Sequence, residues 1–439
     1  MSTKKTNSPY LKVDVVKVHI WGHYVGAVAL DPEFGYYAFA YDPKFKRSGI
    51  ELAPLKVSLN ATADVVLFME LPEATYKRLP AFLADTLPDD FGSALVDRYM
   101  ADKGISASQV TTLDRLAYMG SRSMGALEFR PQRGPRSKKA TAIELGSLVL
   151  EARKAITGTI DDDEHANAAL RSIIDVGTSA GGARAKAVIA WNPESDEIRS
   201  GQAVAPPGFG HWLLKFDGMG KDRELGSSED YGRIEYAYSL MAKAAGITMS
   251  ECRLLEEHGR AHFMTKRFDR EDGEIKHHIQ TLCAMSHLDY KKKSTNSYAQ
   301  LFLTIIELKL DREALVEAFR RMVLNVMAKN CDDHTKNFSF RLCREGEWEL
   351  APAYDITFAH NPQGEWTSQH LMSVNGKFKD FAVSDLIAEA DRFGIGEAPA
   401  MIRTVRKVVE RWPEFAAIAG VGAKETHHIN DLLWLMPEK

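Results

Sequence analysis

Apolar residues in the first forty positions come in short bursts: Val13, Val15, Val18 and Ile20, then Val25, Ala27 and Val28, then Tyr37, Phe39 and Tyr41. Gly22-His23 and Asp31-Pro32 separate them, which predicts short strands joined by turns, a small sheet at the amino end. Between residues 71 and 100 the period lengthens. Leu79, Phe82, Leu83 and Leu87 stand at helical spacing ahead of the turn Leu87-Pro88-Asp89-Asp90-Phe91-Gly92, so helices are expected to cover the sheet. The run from Pro131 through Arg133, Pro135 and Arg136 to Lys139 has no apolar residue and reads as a basic linker. The acidic run at residues 161–164 is expected to be a solvated turn or helix start and is given no function.

Beyond Ile173 the pattern turns strand-like and glycine-rich. In His211-Trp212-Leu213-Leu214-Lys215-Phe216 the alternation puts Lys215 opposite Trp212, Leu214 and Phe216. A second strand is predicted over residues 261–268, and a helix over residues 234–246 that stops at Gly246. The strongest periodicity is Leu315, Phe319, Met322, Val323 and Val326, a buried helical stripe in which the methionines serve as core filler. Helices are also expected at residues 383–392 and 399–411, and no repeat or low-complexity tract is seen.

Composition narrows the function classes. A chain of 439 residues with 45% hydrophobic content has the make-up of an ordinary multi-core protein. Its 56 basic and 60 acidic residues leave a net charge of -4, so no bulk attraction to nucleic acid or anionic membrane is implied. Cys252, Cys283, Cys331 and Cys343 form no C-x-x-C pair, which argues against a zinc ribbon and a secreted disulfide framework and for reduced thiols. Residues 1–7 are polar and lysine-bearing, unlike a signal peptide or anchor, and the cytoplasm is the expected compartment.

Chemistry concentrates in Asn330-Cys331-Asp332-Asp333-His334-Thr335-Lys336-Asn337, followed by Ala353-Tyr354-Asp355. Phosphoryl transfer needs a carboxylate to orient a hydroxyl and oxygen ligands to hold magnesium. Asp332, Asn337 and Asp355 stand in that order, the first as catalytic residue and the other two as metal ligands. Asp, Asn and His also populate ordinary turns, so the spacing taken alone is a capped loop more often than a site. The loop from Gly177 through Ser179, Ala180, Gly181, Gly182, Ala183 and Arg184 to Lys186 is small enough to let backbone amides approach phosphates, although glycine-rich turns are usually only turns. Lys215 can reach ATP phosphates and Glu235 can hold it; the plain alternative is a surface lysine. A rival groups Asp332, Asp333, His334 and Asp355 as a metal hydrolase centre. It lacks a second histidine at ligand spacing, His277-His278 and His427-His428 being adjacent pairs, and Lys336 would weaken a dinuclear site.

The order of these motifs resembles the HipA-type serine/threonine kinases, the toxin halves of bacterial toxin-antitoxin pairs. The resemblance runs nearly end to end. It rests on Val18-His19-Ile20-Trp21-Gly22-His23-Tyr24-Val25-Gly26, Leu87-Pro88-Asp89, Gly182-Ala183-Arg184-Ala185-Lys186, Leu213-Leu214-Lys215-Phe216, Glu235-Tyr236, Arg267-Phe268-Asp269-Arg270 and the Asp332–Asn337 and Ala353-Tyr354-Asp355 stretches. It implies an α+β, protein-kinase-like fold with a small amino-terminal sheet-helix subdomain (residues 1–130), a basic linker (131–145), an N-lobe-like region with phosphate loop and ATP lysine (146–270) and an all-helical carboxyl-terminal lobe (271–439). Also implied are ATP and Mg2+ as cofactors, His334, Lys336, Arg267 and Phe268 beside the nucleotide, an adenine hinge around Lys266, and autophosphorylation at Ser179, with Thr178 as the neighbouring choice. Family substrates include aminoacyl-tRNA synthetases, and a helix-turn-helix antitoxin of HipB type is the expected partner, with DNA reached only through it and no membrane. The stretch Thr178-Ser179-Ala180-Gly181-Gly182 is glycine-richer than in the best-known members, which bears on how the loop would leave the site. The alternatives are a catalytically silent corepressor module and a small-molecule phosphotransferase.

Overall fold

The computed structural model describes residues 11–60, 64–135, 142–143, 186–202, 204–217, 230–257, 259–271 and 275–435. They divide into two compact units, residues 1–52 with 57–209 and residues 53–56 with 210–439.

In the first unit β1 (Val15–Ile20), β2 (His23–Leu30), β3 (Tyr37–Tyr41), β4 (Val65–Val66) and β5 (Leu127–Arg130) form a sheet of order β4-β3-β2-β1-β5. β1 runs antiparallel to β2 and to β5. Its buried set is Val16, Val18 and Ile20, all fully buried, whereas Val15 is 48% exposed. The period of two therefore starts one residue later than the valine spacing suggests. The helix Thr112–Met119 begins at a capping box of Thr111 and Asp114, and the same Asp114 carboxylate accepts the Val13 N–H at 3.0 Å, tying helix to sheet. A second sheet contains β6 (Ala142–Ile143), β8 (Ile198–Ser200) and β7 (Lys186–Trp191), and every residue of β7 is buried.

The second unit opens with β9 (Gly210–Lys215), β10 (Cys252–Glu257) and β11 (Arg260–Lys266), antiparallel with β11 central. Helix Tyr231–Ala244 lies against β11 at a point where only glycine fits: a Cβ on Gly232 would stand 2.0 Å from the Ala261 carbonyl oxygen. The rest is predominantly helical, with Tyr298–Glu307, Arg312–Met327, Val383–Arg392, Ala398–Val409, Trp412–Ala419 and Ala423–Leu432. It is not purely so. β12 (His278–Thr281), β14 (Ser339–Leu342) and β15 (Trp348–Leu350) make a three-stranded sheet, and β13 (Asn296–Ser297) pairs in parallel with β16 (Met372–Ser373). Strands of two to four residues are too short for an alternating pattern to mark them, so the expected all-helical lobe is corrected to a mainly helical one carrying these short strands.

The expected stripe forms the inner face of helix Arg312–Met327, started by the Asp311 side chain accepting the Ala314 N–H at 2.9 Å. Phe319, Met322, Val323 and Val326 are buried among Phe302, Tyr238 and Trp412, whereas Leu315, at the start of the stripe, is only half-buried. This helix delivers the chain to a polar centre. Asp333 is fully buried and accepts from the Tyr298 hydroxyl at 2.7 Å, His370 Nδ1 at 2.8 Å and the Leu371 N–H at 2.7 Å. Asn325 on the helix donates to the Tyr298 hydroxyl, and Asn330 donates to Asn325. Burial opposes a charge on His370, but the Asp333 carboxylate, with the Cys331 thiol, outweighs it and lifts the imidazole to about 10. Burial likewise pushes the Cys331 thiol up, yet His370 and a hydrogen bond to His360 bring it down to about 7.

Phe319→Ala removes a wholly buried ring from this core and is expected to cost about 3–5 kcal/mol in urea unfolding, with an unchanged m-value. A pH prediction follows from the polar centre. His370, lifted from 6.5 to about 10, contributes stability that is whole below 6.5 and lost as pH rises through 10. Cys331, lowered from 9.0 to about 7, contributes stability present above 9.0 and lost as pH falls through 7. The two slopes oppose one another between about 7 and 9. Cys331→Ser is therefore expected to become steadily less stable across that window while the parent stays nearly flat, read as urea midpoints; parallel profiles would refute the pairing.

Candidate active site

Lys215 ends β9, and the alternation that made it look solvent-facing misleads. Trp212, Leu213, Leu214 and Phe216 are all buried, so both sides of the strand are covered. The Lys215 side chain is only 12% exposed, with its ammonium 2.5 Å from Glu235 Oε1 and in direct contact with Asp355 Oδ1. Glu235 is 2% exposed on helix Tyr231–Ala244, whose close approach at Gly232 brings it to the strand. Burial works against the lysine charge, but Asp355 and Glu235 overcome it and hold the group above the ordinary lysine range. The structure thus gathers Lys215, Glu235 and Asp355 from a strand, a helix and a distant loop.

The loop after helix Arg312–Met327 carries the next group. Asp332 keeps a side chain 48% exposed beside the buried Asp333. Asn337 donates its amide N–H to the Asp332 carbonyl oxygen at 2.7 Å, closing the turn and leaving the amide oxygen on the other side. His334 Nε2 stands 3.8 Å from Asp332 Oδ1, and the Tyr290 ring lies 5.3 Å from the His334 ring and 5.0 Å from Lys336 Nζ. Tyr354, the neighbour of Asp355, donates its hydroxyl to the Lys336 carbonyl at 2.6 Å, and Asn330 reaches the Asp355 carbonyl at 3.5 Å. These bonds stitch the Asp355 segment to the Asp332 loop. Asp355 itself has φ 52°, a left-handed conformation that Asp tolerates better than most residues.

The remaining expected residues lie differently. Arg267 is buried, and its guanidinium is engaged by Asp269 through bonds of 2.9 and 2.7 Å; Asp269 also holds Arg270. Phe268 places its carbonyl under Arg341 at 2.7 Å and its ring 5.7 Å from Tyr354. Lys186 belongs to the first unit, where its buried ammonium lies 3.3 Å from Asp89 of the Leu87-Pro88-Asp89 motif. Thr178, Ser179, Ala180, Gly181, Gly182, Ala183 and Arg184 are outside the described residues. The hydrolase grouping does not form, because both Asp333 oxygens are used by His370, Tyr298 and Leu371; among the described residues no cluster of three or more His, Cys, Asp or Glu has a metal-binding arrangement. A carboxylate and an amide oxygen do suit magnesium, which takes few protein oxygens and completes its shell with phosphate and water. Sequence reasoning missed Tyr298, Asn325 and His370. They are 27 to 72 positions from one another, and only the fold joins them.

Residues 178–414 match the model of the HipA-like C-terminal domain, and residues 16–130 match that of the HipA N-terminal domain. Among solved structures, HipA of Shewanella oneidensis MR-1, determined with HipB and its operator DNA, is similar at 16% identity over 95% of each chain, with a TM-score of 0.66. The Helicobacter pylori proinflammatory kinase CtkA is 14% identical over 58% of this chain and 90% of its own, at a TM-score of 0.37, too low to bear on the fold. No curated protein matches the sequence. The similarity to Shewanella HipA fixes the fold, and the carboxyl-terminal match alone spans more than half of the residues: the chain belongs to the HipA family.

Proposed function

We propose that this chain is an ATP- and Mg2+-dependent serine/threonine-protein kinase of the HipA toxin type. The observation that carries the reading is the buried Lys215 ammonium held between Glu235 and Asp355, in the same unit as the Asp332–Asn337 turn. A cation fixed by two acids is a ready partner for phosphate oxygens. Lys215 would hold the α and β phosphates, with Glu235 keeping it in place. Asn337 and Asp355 would hold Mg2+, which supplies charge neutralisation for the transferring group. Asp332 orients the acceptor hydroxyl: its oxygen bonds to the γ-phosphorus as the bond to the β-γ bridging oxygen breaks, ADP departs, and the hydroxyl proton passes to the Asp332 carboxylate. His334 and Lys336 flank that carboxylate, Arg267 and Phe268 would border the adenine side near Lys266, and the loop of Ser179, Ala180, Gly181, Gly182, Ala183 and Arg184 would cradle phosphates, with Lys186 committed to Asp89. Phosphate on Ser179 or Thr178 would repel ATP and switch the enzyme off.

The family supports a helix-turn-helix antitoxin of HipB type as partner, as HipA of Shewanella was determined with HipB and its operator DNA; DNA would be approached only through the antitoxin. The substrate is then a protein, for which an aminoacyl-tRNA synthetase is the first to test, and its modification would arrest growth. No helix among the described residues is long and apolar enough to cross a membrane, which is compatible with the cytoplasmic setting we propose.

Asp332→Gln and Asp355→Asn are each expected to lower transfer of labelled γ-phosphate by about 10²–10⁴-fold while preserving the circular dichroism spectrum. Full activity in either variant would overturn the assigned roles. Incubation with ATP and Mg2+ is expected to add one phosphate to intact mass, mapped to Ser179 or Thr178; a silent module would gain none.

A further inference from the structure

Beside the proposed acceptor carboxylate lies a lysine-rich turn, Tyr290-Lys291-Lys292-Lys293, that the kinase reading does not use. It is built rather than loose. Thr335, in the Asp332–Asn337 loop, donates its hydroxyl to the Leu288 carbonyl at 3.1 Å, coupling the two segments directly. Asp289 accepts the Lys291 N–H at 2.9 Å, Asn296 donates to the Asp289 carbonyl at 3.0 Å, and Thr295 donates to the Lys292 carbonyl at 2.9 Å. The Tyr290 ring fills the space between the turn and the catalytic loop, with the His334 ring 5.3 Å away and the Lys336 and Lys291 ammoniums at 5.0 and 5.7 Å.

The charges in this turn are unevenly matched. Lys293 is paired with Glu365 at 3.1 Å, whereas Lys291 and Lys292 have no carboxylate partner among the described residues. Exposed basic groups elsewhere in the unit are commonly neutralised, as in Arg312 with Glu397, Arg406 with Glu410 and Arg411 with Glu414. Exposed Lys56 adds to the same side: together with burial it depresses His287, three residues before Tyr290, to about 4. A positive surface next to the hydroxyl-orienting group of a chain with net charge -4 invites a negative acceptor. Between an acidic protein segment and a nucleic acid, the aromatic rings decide. Tyr290 lies under Lys291 and Lys336, and Trp366 under Lys293 at 4.8 Å, so lysines stand over the rings on which bases would stack.

We propose that Lys291 and Lys292, set on the Tyr290 platform, select the protein substrate: the acceptor serine or threonine lies in an acidic segment whose flanking carboxylates these two ammoniums bind. This rests on the kinase reading for the hydroxyl at Asp332, but the recognition itself is a binding property and can be measured without turnover.

The test uses the full chain and two fluorescein-labelled peptides, one with a serine flanked by glutamates and one with the same serine flanked by lysines. Fluorescence anisotropy is expected to show tighter binding of the acidic peptide. The preference should fall about tenfold in Lys291→Ala/Lys292→Ala and weaken with added salt. Binding of a fluorescent ATP analogue, read in the same variant, should be unchanged, which separates loss of recognition from misfolding. Equal binding of the two peptides, or an acidic preference that survives the double substitution, would sink the proposal. So would a single-stranded oligonucleotide that outcompetes the acidic peptide and depends on the same lysines. Phosphate transfer is scored separately: acidic preference without transfer keeps the surface and removes the kinase, while transfer without charge preference keeps the kinase and removes the surface.

Discussion

One buried carboxylate, Asp333, anchors the polar centre of the second unit. Asp333 has no exposure to water and accepts hydrogen bonds from a tyrosine hydroxyl, an imidazole and a backbone amide, so its charge is compensated from three directions. An ionised acid so placed tolerates little displacement, because losing one partner leaves an expensive buried charge, typically at about 3–5 kcal/mol. Asp332 precedes it in the chain and inherits that rigidity while its own carboxylate faces solvent. The buried Asp333 thus fixes the position of the partly exposed Asp332 beside it.

The Lys215 cluster applies the same physics to a different end. Two acids around one buried ammonium leave a local negative excess, which keeps the lysine charged despite burial. In a nucleotide-binding reading that excess is what a metal ion and polyphosphate would reorganise, with Asp355 able to turn toward a cation and Lys215 toward phosphate. Gly232 makes this possible at a distance from any chemistry. Without a side chain there, the helix bearing Glu235 settles directly on the backbone of β11, and the acid reaches the strand lysine.

The first unit uses its paired motifs structurally. Asp89 of the Leu87-Pro88-Asp89 turn accepts the Gly92 N–H at 2.7 Å as a helix cap and faces the buried Lys186. Two sequence features that look like separate functional signals are therefore partners, and burial makes each dependent on the other.

Elements with long or regular patterns are legible in the residues: the stripe Phe319, Met322, Val323 and Val326, the helix ending at Gly246, and the order Lys215, Glu235, Asp332, Asn337, Asp355. Helical periodicity and turn chemistry are properties of neighbouring residues, so they are written in the chain. That Lys215 is enclosed and not exposed depends on the packing of distant segments, since alternation reports one strand face and not what covers the other. Packing also sets Arg267 against Asp269 and Lys186 against Asp89, and makes Tyr298, Asn325 and His370 converge on Asp333. These contacts bury polar groups, and all but the Arg267–Asp269 pair cross tens of positions, so no local pattern distinguishes them from polar groups left in water.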